Sequence, residues 1–177
     1  MSSDLVPLPP KVPINRRAFA FAIDWAAVSF ISLILGTNWF VQSIFFIILW
    51  LLMRVLLPVR NQGQSLGHWA LDMRVIETRL LRTPTIQELV KREGVLGVAA
   101  ALAAIALTGL TSRNAVVLLL ILPLALDCSV AFADTERYQQ AFHDRFAQTI
   151  IVGTRRGYSL DIKLKKILGQ LQRNVRR

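Results

Sequence analysis

Four long apolar stretches, at about 18–35, 39–57, 94–110 and 115–133, alternate with polar segments along the chain. Each is close to the ~20 residues that an α-helix needs to cross the hydrocarbon core of a bilayer. Burial inside a large soluble core is the alternative, but a chain of 177 residues has no such core to surround four of them. The first stretch follows Lys11, Arg16 and Arg17, as a cleaved signal would. It contains Asp24, lacks a clear small-residue cleavage site and is followed three residues later by more apolar sequence, so it reads as a retained anchor.

Between the second and third stretches, Gly63-Gln64-Ser65-Leu66-Gly67-His68 precedes a partly alternating run of Trp69, Leu71, Met73, Val75 and Ile76. The glycines suggest a turn, and the alternation a short strand or amphipathic layer at the membrane surface. Thr85 and Glu88 have capping-box spacing, so the third helix is expected to begin in the cytoplasm. It would run along the surface to Glu93 and enter the membrane at Gly94. Gly97, Ala99, Ala100, Ala101, Ala103 and Ala104 then make it a helix for close packing rather than a site. In the tail, Leu160, Leu164, Ile167, Leu168, Leu171 and Val175 recur at helical spacing among Lys163, Lys165, Lys166 and Arg173. This pattern predicts a basic amphipathic helix that lies on an anionic lipid surface or docks on a partner.

Composition agrees with the pattern: 54% of residues are hydrophobic, and the mean hydropathy is +0.47. A formal net charge of +10 would in isolation suggest nucleic acid. The basic residues lie almost entirely outside the apolar stretches, however, so nucleic acid is not an expected partner. Lys and Arg number three before the first stretch, none in 36–38, six from Arg60 to Arg92, one at Arg113 and ten from Arg137 onward. The positive-inside rule then puts both termini and the 58–93 segment in the cytoplasm. The expected fold is an all-α integral membrane protein of four transmembrane helices in two hairpins, with Trp39 and Phe40 at the outer interface. Residues 1–15 form a cytoplasmic lead-in, 16–153 the transmembrane domain and 154–177 the basic tail.

Ionisable residues inside the spans are the candidate chemistry, because each costs about 2.5–3.5 kcal/mol at the centre of a helix on insertion scales. Asp24 and Asp127 fall at similar depth in the inner leaflet. Arg54 lies within snorkelling reach of that level, and Arg17 is about two turns before Asp24 on one helix face. A buried Asp-Arg-Asp cluster with Arg17 alongside is the economical arrangement, serving either ion handling or helix register. Pro123 removes the amide that would bond the Leu119 carbonyl, which would expose an acceptor one turn from Asp127. The chain has two histidines and one cysteine, Cys128, with no zinc spacing and no nucleophile-base set. No metal, no cofactor and no enzymatic activity are expected.

The residues resemble the RDD family of multi-pass membrane proteins, named for one arginine and two aspartates. Arg17, Ala20, Ile23 and Asp24 are similar to its first helix motif. Gly63, Ser65, Leu66, Gly67, Leu71, Arg74 and Val75 are similar to its second, and His143, Asp144, Ala147, Thr149 and Ile151 to its third. His68 stands where the family usually has lysine and Gln148 where it usually has glycine, so the resemblance assigns no role to a positive charge or to a tight turn at these positions. The second aspartate is Asp127 on depth, with Asp144 as the rival. The resemblance implies transport of an unknown ligand, including cation-proton exchange for some members. A membrane scaffold or assembly factor, acting through the alanine-rich helix and the basic tail, is the alternative. Either would act as a homo-oligomer or with a membrane-protein partner.

Overall fold

The computed structural model describes residues 10–36, 38–110, 114–134 and 138–154. The tail helix expected at 160–175 and parts of the 36–38 and 111–114 connections lie outside the described residues. Helix α1 spans Ile14–Leu35, starting after Pro13 and ending at Gly36. Asn38 opens the next helix by accepting from the Phe40 and Val41 amides at 3.1 and 3.0 Å. That helix runs Trp39–Arg60, as α2 (Trp39–Leu51), a π-helical turn (Leu52–Leu56) and α3 (Leu57–Arg60). After α4 (Leu66–Ala70) and β1 (Met73–Glu77), α5 spans Ile86–Thr108. The last long helix, Ala115–Ala133, is 3-10 from Ala115 to Ile121 and then α6 from Leu122 to Ala133. Helix α7 (Phe142–Phe146) and β2 (Thr149–Gly153) complete the described chain.

Among the described residues, three helices are long and apolar enough to cross a membrane: Ile14–Leu35, Trp39–Arg60 and Ala115–Ala133. Helix α5 is as long, but Lys91, Arg92 and Glu93 interrupt its early turns, leaving apolar sequence only from Gly94 onward. Large apolar side chains such as Phe19, Phe30, Ile34, Val116, Leu119 and Phe132 point outward. So extensive an apolar exterior fits contact with lipid rather than water.

The interior is built around Trp50. It stacks on Phe46 at 5.7 Å and meets the edge of Phe21 at 5.8 Å. It also fills the space above Gly97, where an added Cβ would come within 2.7 Å of the indole. Leu96, Ala100, Ala101 and Ala104 line the same core, so the alanine face of α5 is consumed inside the protein. α1 packs on α2, α2 on α5, and α5 on the 115–133 helix. The Trp25 indole donates to the Ala100 carbonyl at 3.0 Å and ties α1 to α5.

One end of the bundle carries a small polar cap. β1 and β2 pair antiparallel from Met73↔Gly153 to Glu77↔Thr149, and Lys11 bridges to Val152. This ribbon corrects the all-α expectation: the alternation before Glu77 is a strand, and Thr149–Gly153, whose apolar run Ile150-Ile151-Val152 had no assigned element, is its partner. The 58–93 segment is therefore a structured cap with α4, β1 and the start of α5. Pro123 also behaves differently from expectation. The chain tightens to 3-10 ahead of it, and the Leu122 amide donates to the Leu119 carbonyl, so that acceptor is not left open.

Two turn positions follow from backbone sterics. Gly63, at φ +84°, lies against the Val75 carbonyl, which an added Cβ would meet at 2.3 Å. Gln148 takes φ +53°, so the left-handed turn persists although glycine is absent from that position. Gly67 permits a closer contact: a Cβ there would sit 2.0 Å from the Ala20 carbonyl oxygen of α1. Gly67→Ala should therefore force α4 off α1 and cost about 1–3 kcal/mol, the usual range for overpacking. Gly94→Ala, at a helical site with open space around it, should instead raise stability by about 0.5–1 kcal/mol. Thermal unfolding in mild detergent checks both, and equal shifts for the two variants would contradict this account.

Candidate functional site

Where the cap meets the bundle, five elements bring charged side chains together out of solvent. The π-turn carries Arg54 inward, its guanidinium 5.0 Å from the Trp50 ring. Such turns commonly re-aim a side chain at a functional position. Arg54 Nη1 donates to Asp24 at 2.6 Å and Nε to Glu93 at 2.7 Å. Asp24 also accepts from the Ser65 hydroxyl and the Gly67 amide, both at 2.6 Å. Ser65 is at the same time the cap of α4, so the carboxylate of α1 seats that helix directly.

Glu93 continues the chain by pairing with its neighbour Arg92, and Arg92 Nε donates to Asp144 at 2.9 Å. Asp144 then receives Arg17 Nη2 at 2.5 Å, while Arg17 Nη1 donates to the Tyr138 and Gln139 carbonyls. A second branch joins at α7. Asp127 accepts from the His143 amide at 2.9 Å and meets His143 Nδ1 at 2.5 Å, and His143 Nε2 lies 3.5 Å from Asp144. Burial by itself raises the pKa of the Asp144 carboxyl. His143, Arg92 and Arg17 together outweigh that and hold it well below the usual carboxylate range.

The expected cluster is thus re-wired. Asp24 and Arg54 do meet, but Arg54 is only 2% exposed and does not snorkel. Arg17 turns away from Asp24 to Asp144, and Asp127 pairs with His143 rather than with Arg54. Arg92 and Glu93, each 1% exposed, sit at the centre of the network instead of on a surface stretch. The signal that could have found them is an adjacent Arg-Glu pair two turns after a capping box, just before a small-residue stretch of the same helix. Of the other motif residues, Gly63 and Gly67 make the close approaches described above. Arg74 lies on β1, and Thr149 opens β2 with its hydroxyl 3.5 Å from the Asp144 carbonyl.

Beside the network a cavity of about 160 Å³ opens between α1 and α6. Arg17, Arg54, His68, Arg92 and His143 form its polar side, and Phe21, Leu96 and Phe132 its apolar side. His68 is buried, and its Nδ1 has no hydrogen-bond partner. Burial first, then Arg54, Arg92 and Arg17, push its pKa well below the ordinary histidine value, with Asp144 acting in the opposite direction. Among the described residues, no group of three or more His, Cys, Asp or Glu could hold a metal ion.

The sequence model of the RDD family matches residues 11–148, most of the chain and all of the network. The chain belongs to the RDD family. RDD proteins are membrane proteins. No curated protein and no solved structure matches the chain. In this RDD protein both candidates for the second aspartate enter the network, Asp144 through Arg17 and Arg92, Asp127 through His143.

Removing one partner of a buried pair leaves the other charge uncompensated. Arg54→Ala leaves the Asp24 charge without its arginine and Glu93 with Arg92 alone, and should destabilise by about 3–5 kcal/mol. Arg82→Ala, which removes an exposed partner of Glu77, should change stability little. Unfolding midpoints in detergent check the contrast, and a mild Arg54→Ala would contradict the network's structural role.

Proposed function

We propose that this RDD protein is a four-span transporter, with both termini and the 58–93 segment cytoplasmic, in which the Asp127–His143 pair carries a proton coupled to ligand movement. The observation that carries this reading is the 2.5 Å contact between His143 Nδ1 and Asp127 at the edge of the cavity. Asp24, Glu93 and Asp144 are each engaged by arginine, so a metal cation would have to displace a guanidinium to use them. Asp127 is held by an imidazole, a side chain that can pass a proton to it or take one from it. With Arg17, Arg54 and Arg92 against Asp24, Glu93, Asp127 and Asp144, one proton on the Asp127–His143 pair makes the cluster neutral. Four short helices enclose little of a pathway, so the working unit is an oligomer.

A scaffold reading draws less support. The alanine face of α5 that would hold a partner helix is covered by α2 and the 115–133 helix. The four-span orientation rests on the Lys and Arg asymmetry of the segments between helices. Reporters fused after Thr37 and Arg113 should read outside, and those after Arg79 and Arg177 inside. A cytoplasmic signal at Thr37 would overturn the orientation.

The transport reading is checked in reconstituted vesicles. Asp127→Asn keeps shape and hydrogen-bonding capacity but cannot exchange a proton as a carboxylate does. It should assemble near the normal level and lose at least tenfold of any proton movement across the vesicle membrane. Asp24→Asn weakens a structural lock and should lower stability first. Proton flux in Asp127→Asn equal to that of the unmodified protein would refute the role of the pair.

A further inference from the structure

We propose that the cavity between α1 and α6 binds the anionic head group, phosphate or carboxylate, of an amphiphile that comes from the surrounding membrane. The site is built on one side by Arg17, Arg54 and Arg92, with no carboxylate among its described lining residues; Asp24, Glu93 and Asp144 contact the same guanidinium groups away from the lining. A guanidinium presents five N–H donors in a planar fork that matches carboxylate and phosphate oxygens. Arg92 uses Nη1 for Glu93 and Nε for Asp144, and neither bond uses its Nη2. His68 supplies the independent observation, a polar nitrogen buried in the lining without a partner. An anion oxygen would satisfy Nδ1 as a donor, and a buried polar atom left unpaired otherwise costs about 1–3 kcal/mol.

The amphiphile half of the proposal comes from the mouth. Ala18 on α1 and Cys128 and Phe132 on α6 are exposed there, on two helices long and apolar enough to cross a membrane. A ligand reaching the arginines by this route passes apolar side chains first. The volume, about 160 Å³, is below the ~300–1,000 Å³ of pockets that enclose a whole drug-sized molecule. It suits a head group and its first carbons, with the remaining chain left between the helices in lipid.

This assignment rests on the transport reading and takes the cavity as its ligand chamber, yet it is tested separately, by binding at equilibrium. The full chain in non-ionic detergent is titrated with dodecyl phosphate, with dodecanol as the neutral chain and with inorganic phosphate as the free anion, following the rise in unfolding temperature. Dodecyl phosphate should bind saturably and at least tenfold more tightly than either control. Ala18→Phe and Cys128→Phe, which fill the mouth and leave every charged residue in place, should weaken it at least tenfold, and His68→Leu several-fold. Native mass spectrometry of the same variants counts bound dodecyl phosphate independently of any change in their own stability.

Equal binding of dodecanol would reduce the site to an apolar crevice and overturn the proposal. Inorganic phosphate binding as tightly as dodecyl phosphate would assign the site to an aqueous anion and overturn the membrane route. Mouth-filling variants that bind like the unmodified protein would place the ligand elsewhere. Saturable binding by a protein that moves no protons in vesicles would uphold this site and remove the transport reading; proton flux without such binding would do the reverse.

Discussion

The structure depends on how Arg54 is buried. A guanidinium withdrawn from water loses several kcal/mol of solvation, and only well-placed opposite charges and hydrogen bonds offset that loss. Here Asp24 and Glu93 occupy its Nη1 and Nε, respectively, and the Trp50 ring covers a face. Each of those carboxylates carries the same debt of solvation and settles it with further partners, Asp24 with Ser65 and Gly67, Glu93 with Arg92. The requirement propagates until it reaches Asp144 and Arg17. The result is one chain of alternating charges that joins α1, the π-turn, α5 and α7.

That chain explains local features which look unrelated in isolation. The π-turn at Leu52–Leu56 inserts one residue's worth of rotation, which brings Arg54 to the inside of a helix whose outer face is Leu52 and Leu56. Gly67 lacks a side chain because α4 must approach the backbone of α1 closely enough for its amide to reach Asp24. Ser65 serves both as helix cap and as carboxylate donor. The cap and the helices therefore fold as one unit, since the charges at their boundary are satisfied only when all of these elements are in place.

The same economy shapes the functional reading. Carboxylates already matched by arginine offer little to a metal cation, whereas the Asp127–His143 pair stands at the margin of the network and beside a cavity. The arginines present their remaining surface, together with His68, to that cavity. On the proposed reading, a proton-linked site beside an anion-binding chamber would follow from one arrangement of charges rather than two separate devices.

Much of this architecture could be read from residue types in order along the chain. Apolar runs of about twenty residues announce helices that lipid can cover, because a backbone without water must satisfy its own hydrogen bonds. Thr85 and Glu88 form the capping box that their spacing implies, and the alternation before Glu77 is the strand β1. Asp24 and Arg54, the second placed within snorkelling reach of the first by counting from helix ends, are in contact. Depth along a helix is a local quantity, so sequence carries it. Rotation about the helix axis is set by packing against neighbours, and sequence order does not carry that. Arg17 therefore finds Asp144, 127 positions away, rather than Asp24 on its own helix. Arg92 and Glu93 turn inward rather than along a surface, and β2 exists because β1 offers it an edge. Which charges share a depth was settled by the amino acids in order; which of them touch was decided only when the helices packed.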